Sequence, residues 1–212
     1  MRNLVILMST AAVLAIGSIV ALRTIGEGAA PSSKAVCGDA TGPRWPVKTL
    51  SDSRADKVDY RPKRASVREL VRLHAPHVTS TTPRIAGVET TTYRIRVSLT
   101  KVDFVHSDRD LTGRIADPHN PEVTMAIEFP DTRCPAASRS IKRREMARAR
   151  AAYAAACGSV ERLVAVTAIV SGVGFFDVPP TAHGQPPNRI ELHPVLEFVP
   201  LTACHRGRII RD

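Results

Sequence analysis

The chain has 212 residues, 43% of them hydrophobic, which suffices for one domain with a core of ordinary size plus extensions and is short for two full domains. Its formal charge is +10, with arginine outnumbering lysine 24 to 6, so polyanions are the partners the charge suggests, although genomic base composition also produces such an arginine bias. No Gly-x-Ser-x-Gly elbow, phosphate-binding Gly-rich Lys loop or His-Glu-x-x-His pair occurs, which removes the best-marked hydrolase, nucleotide-binding and metalloprotease readings.

Residues 1–30 read as a targeting segment: Arg2 precedes an apolar stretch from Leu4 to Leu22, and Arg23 follows it. Cleavage after Ala30, with Gly28 and Ala30 as the small recognition residues, leaves a chain that starts at Pro31 and, without Arg2, Arg23 and Glu27, carries +9. At ~1.5 Å per residue the same stretch nearly crosses the ~30 Å hydrocarbon layer, so an uncleaved anchor through residues 4–22 is the alternative. Either way the bulk of the chain is expected outside the cytoplasm, secreted or membrane-anchored. Cys37, Cys134, Cys157 and Cys204 all follow this segment, and an even count in an oxidising compartment favours two disulfides.

Residues 31–85, rich in Pro, Ser, Thr and charge, read as an ordered extension with one short helix, in which Ser66 and Glu69 form a capping box and Pro76 ends the helix. From Tyr93 the pattern changes. Tyr93, Ile95, Val97 and Leu99 alternate with polar residues, and the phase slips at Lys101 so that Val102 and Phe104 continue the apolar series, which predicts a strand with a bulge. Asp110 to Ala116 and Val123 to Phe129 read as the second and third strands, separated by a Pro-containing turn. A helix is expected over Ala137 to Ala156, packing through Ile141, Ala149, Ala152, Tyr153 and Ala156. Its length would hold the flanking Cys134 and Cys157 on the order of 25 Å apart, beyond the ~7 Å that a disulfide spans, leaving Cys37 with Cys134 and Cys157 with Cys204, or the crossed alternative. Leu163 to Phe176, interrupted by Gly172 and Gly174, and Arg189 to Val199 complete five strands, with residues 205–212 as a basic tail.

Three strands, a helix and two strands is the element order of an OB-type five-stranded barrel, expected here over residues 86–204. The alternative is a non-barrel α+β sheet with the same order.

The stretch Gly172-Val173-Gly174-Phe175-Phe176-Asp177, then His183-Gly184-Gln185, then Asn188 to Val195 resembles the signature of a family of exported bacterial proteins of unassigned function. Cys37-Gly38, Arg44-Trp45, Val47-Lys48-Thr49 and Thr124 to Asp131 ending in Cys134 are similar to its other landmarks. The resemblance implies that Cys37 pairs with Cys134, both being family positions, and Cys157 with Cys204. The family's second strand reads Asp-x-Asp-x-His, whereas here Asp108-Arg109-Asp110-Leu111 is followed by Thr112.

In the fifth strand, alternation puts Glu191 and His193 on one face, roughly 7 Å apart, as a carboxylate and imidazole suited to holding a metal or relaying a proton. The alternative is that both face solvent, with Pro194 marking an edge. Asp108, Asp110, Asp117 and Glu128 offer oxygen ligands to a hard cation such as calcium, although scattered turn carboxylates look the same in sequence. No cofactor is indicated beyond such a divalent cation. Arg109 and Arg114 are candidate phosphate clamps by analogy with OB-barrel nucleases. His183 and Asn188 sit in a Pro-rich loop, a common ligand-facing position in such barrels. Phe175, Phe176 and Trp45 are the aromatic candidates for stacking on bases.

Three functions follow from these readings: an extracytoplasmic binding or interaction module, with a polyanion or an envelope component as partner, a metal-assisted phosphodiesterase or nuclease, and a structural envelope protein.

Overall fold

The structure, a computed structural model, describes Cys37 and residues 44–158, 162–178 and 186–207. The targeting segment, His183 and the last five residues lie outside the described residues. Among those described, no helix is long and apolar enough to cross a membrane.

The protein is mainly β. Strands β1 (Asp59–Arg64), β2 (Thr91–Phe104), β3 (Leu111–Asp117), β4 (Asn120–Phe129), β5 (Arg162–Phe176) and β6 (Ile190–Pro200) form one mixed sheet, and the two-residue β7 (His205–Arg206) pairs with β5. Along the sheet the order is β1-β2-β3-β4-β6-β5, and β5 pairs back with β2, so a ring of hydrogen bonds runs through five strands. Only β1 with β2 and β4 with β6 run parallel; the other pairs of this sheet are antiparallel.

The alternation that predicts β2 is the one that builds it. Tyr93, Ile95, Val97 and Leu99 are buried, and Val102 is buried after a register shift between Leu99 and Lys101 against both β3 and β5. That slip is the expected bulge, which keeps apolar side chains facing the core as the strand bends. Gly174 in β5 marks a close approach, because a Cβ there would lie 2.8 Å from the Val88 carbonyl oxygen and 2.9 Å from the Tyr93 ring.

Among the described residues, four α-helices accompany the sheet: α1 (Trp45–Lys48), α2 (Val67–Leu70), α3 (Pro135–Ser138) and α4 (Arg143–Cys157), with a single 3-10 turn at Ala55–Lys57. The Ser66–Glu69 capping box is present at α2, but the helix ends after one turn, well before Pro76. The single helix expected over Ala137 to Ala156 is two. Arg139 and Ser140 interrupt it, and Ile141 lies exposed ahead of α4 rather than on its packing face. The buried residues of α4 are Met146, Ala149, Tyr153 and Cys157, with the Tyr153 ring stacked on Phe129 at 5.4 Å and edge-on to Phe198.

The segment before β2 contributes more than one helix. Strand β1 pairs parallel with β2 at the sheet edge, and its side chains are almost all exposed, so the sequence carried no periodic signal for it. Two buried arginines fasten this segment. Arg44 pairs with Glu89 and donates to the Phe176 carbonyl at 2.7 Å, while Arg84 pairs with Asp52 and donates to the carbonyls of Glu89 and Val47. Disulfides join Cys37 to Cys134 and Cys157 to Cys204, and no described cysteine is free. The second bridge ties the end of α4 to the chain beyond β6.

Candidate metal centre

Parallel pairing of β4 with β6 sets Ala126 opposite Glu191 and Ile127 opposite Leu192, which carries Glu128 alongside His193. Asp110 enters from the residue before β3, where Arg109 adopts the left-handed conformation (φ 66°) and Asp108 accepts a hydrogen bond from the Asp110 backbone N–H. Left-handed backbone at a branched, non-glycine position costs on the order of 1 kcal/mol and recurs at functional sites. Among the described residues it occurs at Arg44, Leu50, Arg109 and Arg189, each within two residues of Trp45, Lys48, Asp110 or Glu191.

The result is one imidazole ringed by carboxylates. His193 Nδ1 lies 3.0 Å from Glu128 Oε2 and 3.2 Å from Glu191 Oε1, and its Nε2 faces Asp110 Oδ2 at 3.4 Å. Asp110, Glu191 and His193 are 0% exposed. The alternative of a solvent-facing Glu191 and His193 is therefore corrected: residues 190–195 of β6 are all buried, with Trp45 and Lys48 of α1 against His193 and Glu191. Trp45 and Phe175 stand edge-on to the imidazole, at 6.1 and 6.0 Å between ring centroids. Lys48 Nζ reaches Glu191 at 3.4 Å and Asp177 at 3.5 Å and lies over the Phe175 ring. Asp110 Oδ1 accepts from the Asp131 backbone N–H, and Thr112 donates to Glu128 at 3.3 Å.

Negative charge is in excess, and the proton equilibria respond to it. Burial pushes up the carboxyls of Asp110 and Glu191, while Asp108 rises to about 6 through burial and the neighbouring Asp110 charge. Burial works the same way on Glu128, but Lys48 and His193 outweigh it and hold Glu128 down at about 2. For Lys48 and His193, burial opposes the charge and loses. Glu191 is the first of the carboxylates that raise Lys48, and Glu128 the first of those that raise His193.

Oxygen and nitrogen donors of Asp110, Glu128 and His193 lie within 4.8 Å of one another, a spacing able to hold one cation. Two of the buried atoms, Asp110 Oδ2 and His193 Nε2, have no hydrogen-bond partner, and they are the pair that face each other. Buried polar atoms normally find partners, and with the imidazole protonated these two serve as each other's, a long ion pair at 3.4 Å with no further hydrogen bond to either atom.

Other candidate residues have structural roles. Asn188 is buried, donating to the carbonyls of Leu70 and Leu73 and accepting from the Ile190 N–H, so it clamps α2 to β6 rather than facing a ligand. Phe175, Phe176 and Trp45 are buried and offer no stacking surface. Asp117 is buried and caps its turn by accepting from the His119 N–H. Arg109 is engaged with Asp131 at 3.0 Å and lies over Phe104, whereas Arg114 is exposed on β3. Lys48 and Asp177 were visible in sequence only as landmarks of the resembling family. Neither carried a chemical signal, because their link to Glu191 is made by tertiary packing alone. Compared with protein-family models, curated proteins and solved structures, the chain matches none of them.

Proposed function

We propose that this protein is an exported OB-type binding module organised around a divalent-cation centre formed by Asp110, Glu128 and His193. The observation that carries the reading is that Asp110 Oδ2 and His193 Nε2 face each other at 3.4 Å, bonded to no other group, inside a ring of buried carboxylates whose donor atoms converge. The OB-type assignment is supported by the closed hydrogen-bond ring, the parallel third and fifth members of that ring, and a helix between its third and fourth. Export is supported by two disulfides and the absence of a free thiol among the described cysteines.

Enclosure of the chemistry favours binding over catalysis. A phosphodiesterase must bring a phosphorus atom and an attacking water against its metal ligands, and here the imidazole and two carboxylates have no exposed surface. For a partner, exposed Arg133, Arg139, Arg143, Arg144 and Arg148 around α3 and α4 offer phosphate-type contacts. With the aromatic candidates buried, polyanion association would be electrostatic and would weaken steeply with salt.

Calorimetric titration of the chelator-treated, disulfide-intact protein with calcium, magnesium, manganese and zinc salts tests the reading. One equivalent is expected to bind, and Asp110→Asn is expected to weaken binding at least tenfold. Absence of saturable binding by all four ions would remove the cation centre.

A further inference from the structure

We infer that the centre is built for a first-row divalent ion of the zinc class, with Glu191, braced by Lys48, serving as the carboxylate that orients the His193 imidazole. This rests on the cation centre proposed above and adds the kind of ion and the division of labour among the carboxylates.

Donor chemistry points to the ion class. Calcium takes six to eight oxygen ligands and magnesium keeps several waters, whereas an imidazole nitrogen with carboxylate oxygens suits zinc and its first-row neighbours. Sealed side chains favour low coordination. Asp110 and His193 have no exposed surface, and Glu128 is exposed only at its margin, so there is little provision for a shell of bound waters. The distance agrees. Two donors about 2.0–2.2 Å from a tetrahedral ion stand roughly 3.3–3.5 Å apart, and Asp110 Oδ2 and His193 Nε2 are separated by 3.4 Å.

With Nε2 directed at the ion, the other ring nitrogen must donate its proton, and metal-bound histidines characteristically give it to a carboxylate or carbonyl. Glu191 Oε1 lies 3.2 Å from Nδ1 and is held from behind by Lys48 Nζ at 3.4 Å. Glu128 comes closer to Nδ1, at 3.0 Å, but the hydrogen bond of that nitrogen is with Glu191, and Glu128 belongs to the set whose donor atoms converge within 4.8 Å. Glu128 is therefore a ligand and Glu191 a positioning residue. Trp45 and Phe175 complete the arrangement by fixing the imidazole plane from its flanks. Thiols do not compete, since every described cysteine is in a disulfide.

Cobalt(II) is the probe. Added to the chelator-treated full-length protein, it is expected to give the intense visible bands of four-coordinate cobalt, with three protein ligands and a single water, and to be displaced stoichiometrically by zinc but not by a large excess of calcium. Glu191→Gln is expected to keep the cobalt spectrum while weakening zinc binding about 10–100-fold, with Glu191→Asp restoring part of that loss. Preference for calcium or magnesium over zinc, or the weak bands of six-coordinate cobalt, would overturn this inference and leave the cation centre standing. No binding of any ion would overturn both. Unchanged zinc affinity in a folded Glu191→Gln protein would overturn the positioning role alone. Should that variant fail to fold, the cobalt spectrum and zinc-over-calcium selectivity of the unmodified protein still decide the ion class.

Discussion

Glu89 shows how much a single buried carboxylate can organise. One oxygen accepts from the Phe176 N–H at 3.0 Å, the other from the Ile85 N–H at 2.7 Å, and the Arg44 guanidinium closes the charge. Each bond joins a different stretch of chain, so the group holds the entry to α1 against the end of β5, next to Phe175 and Asp177. Glu89→Gln would leave the guanidinium of Arg44 buried without its counter-charge. Losing one partner of such a pair costs about 3–5 kcal/mol, far more than an exposed pair such as Arg61 with Asp59 contributes. The expected outcome is a lower denaturant midpoint at unchanged slope. The same change is also expected to loosen Lys48, because Arg44 and Lys48 lie over the same Phe175 ring.

Among the elements, those with a buried and an exposed face were legible in the sequence, while those defined by tertiary contact were not. Period-two alternation marked β2 and its bulge because one face of that strand is core and the other is not. It misled at β6, where Ile190 to Val195 are buried on both faces and alternation no longer separates inside from outside. Glu191, His193, Asp110 and Glu128 were therefore recognisable as residue types suited to chemistry, but in separate groups, since nothing local predicts the parallel pairing that joins β4 to β6. Strand β1 was invisible for the opposite reason, being nearly all exposed. Gly174 illustrates a cue that was readable. It interrupts a β-rich run, where a missing side chain permits close approach, and β5 passes within contact of Val88 and Tyr93 there. Gly174→Ala would put a methyl group against the Val88 backbone oxygen, which cannot withdraw as a side-chain end could. A loss of about 1–3 kcal/mol is expected, seen as a lower thermal midpoint.

On the scale of the whole molecule, long-range closures dominate. The disulfides span 97 and 47 residues, and β2 meets β5 across a gap of similar order. Loop-closure entropy alone assigns about 4 kcal/mol to a bridge spanning 47 residues. Replacing Cys157 and Cys204 together by Ser is expected to lower stability by about 2–4 kcal/mol, measured by chemical denaturation under non-reducing conditions. Peptide mapping without reductant checks the premise: it should recover Cys37 joined to Cys134 and Cys157 joined to Cys204.

The ring is not equally strong around its circumference. Strands β2 and β5 share a ladder from Thr92 to Val102, while β4 and β6 share two register partners. The weakest seam of the ring thus runs beside His193, the most enclosed imidazole among the described residues. An ion held there would enter and leave when that seam breathes open, at a pace fixed by the protein's own fluctuations instead of by diffusion through water. Such a centre keeps what it has captured through brief swings in ion supply, and an ion bridging Asp110 and Glu128 to His193 would act as a rivet across the one joint that the backbone leaves thinly sewn.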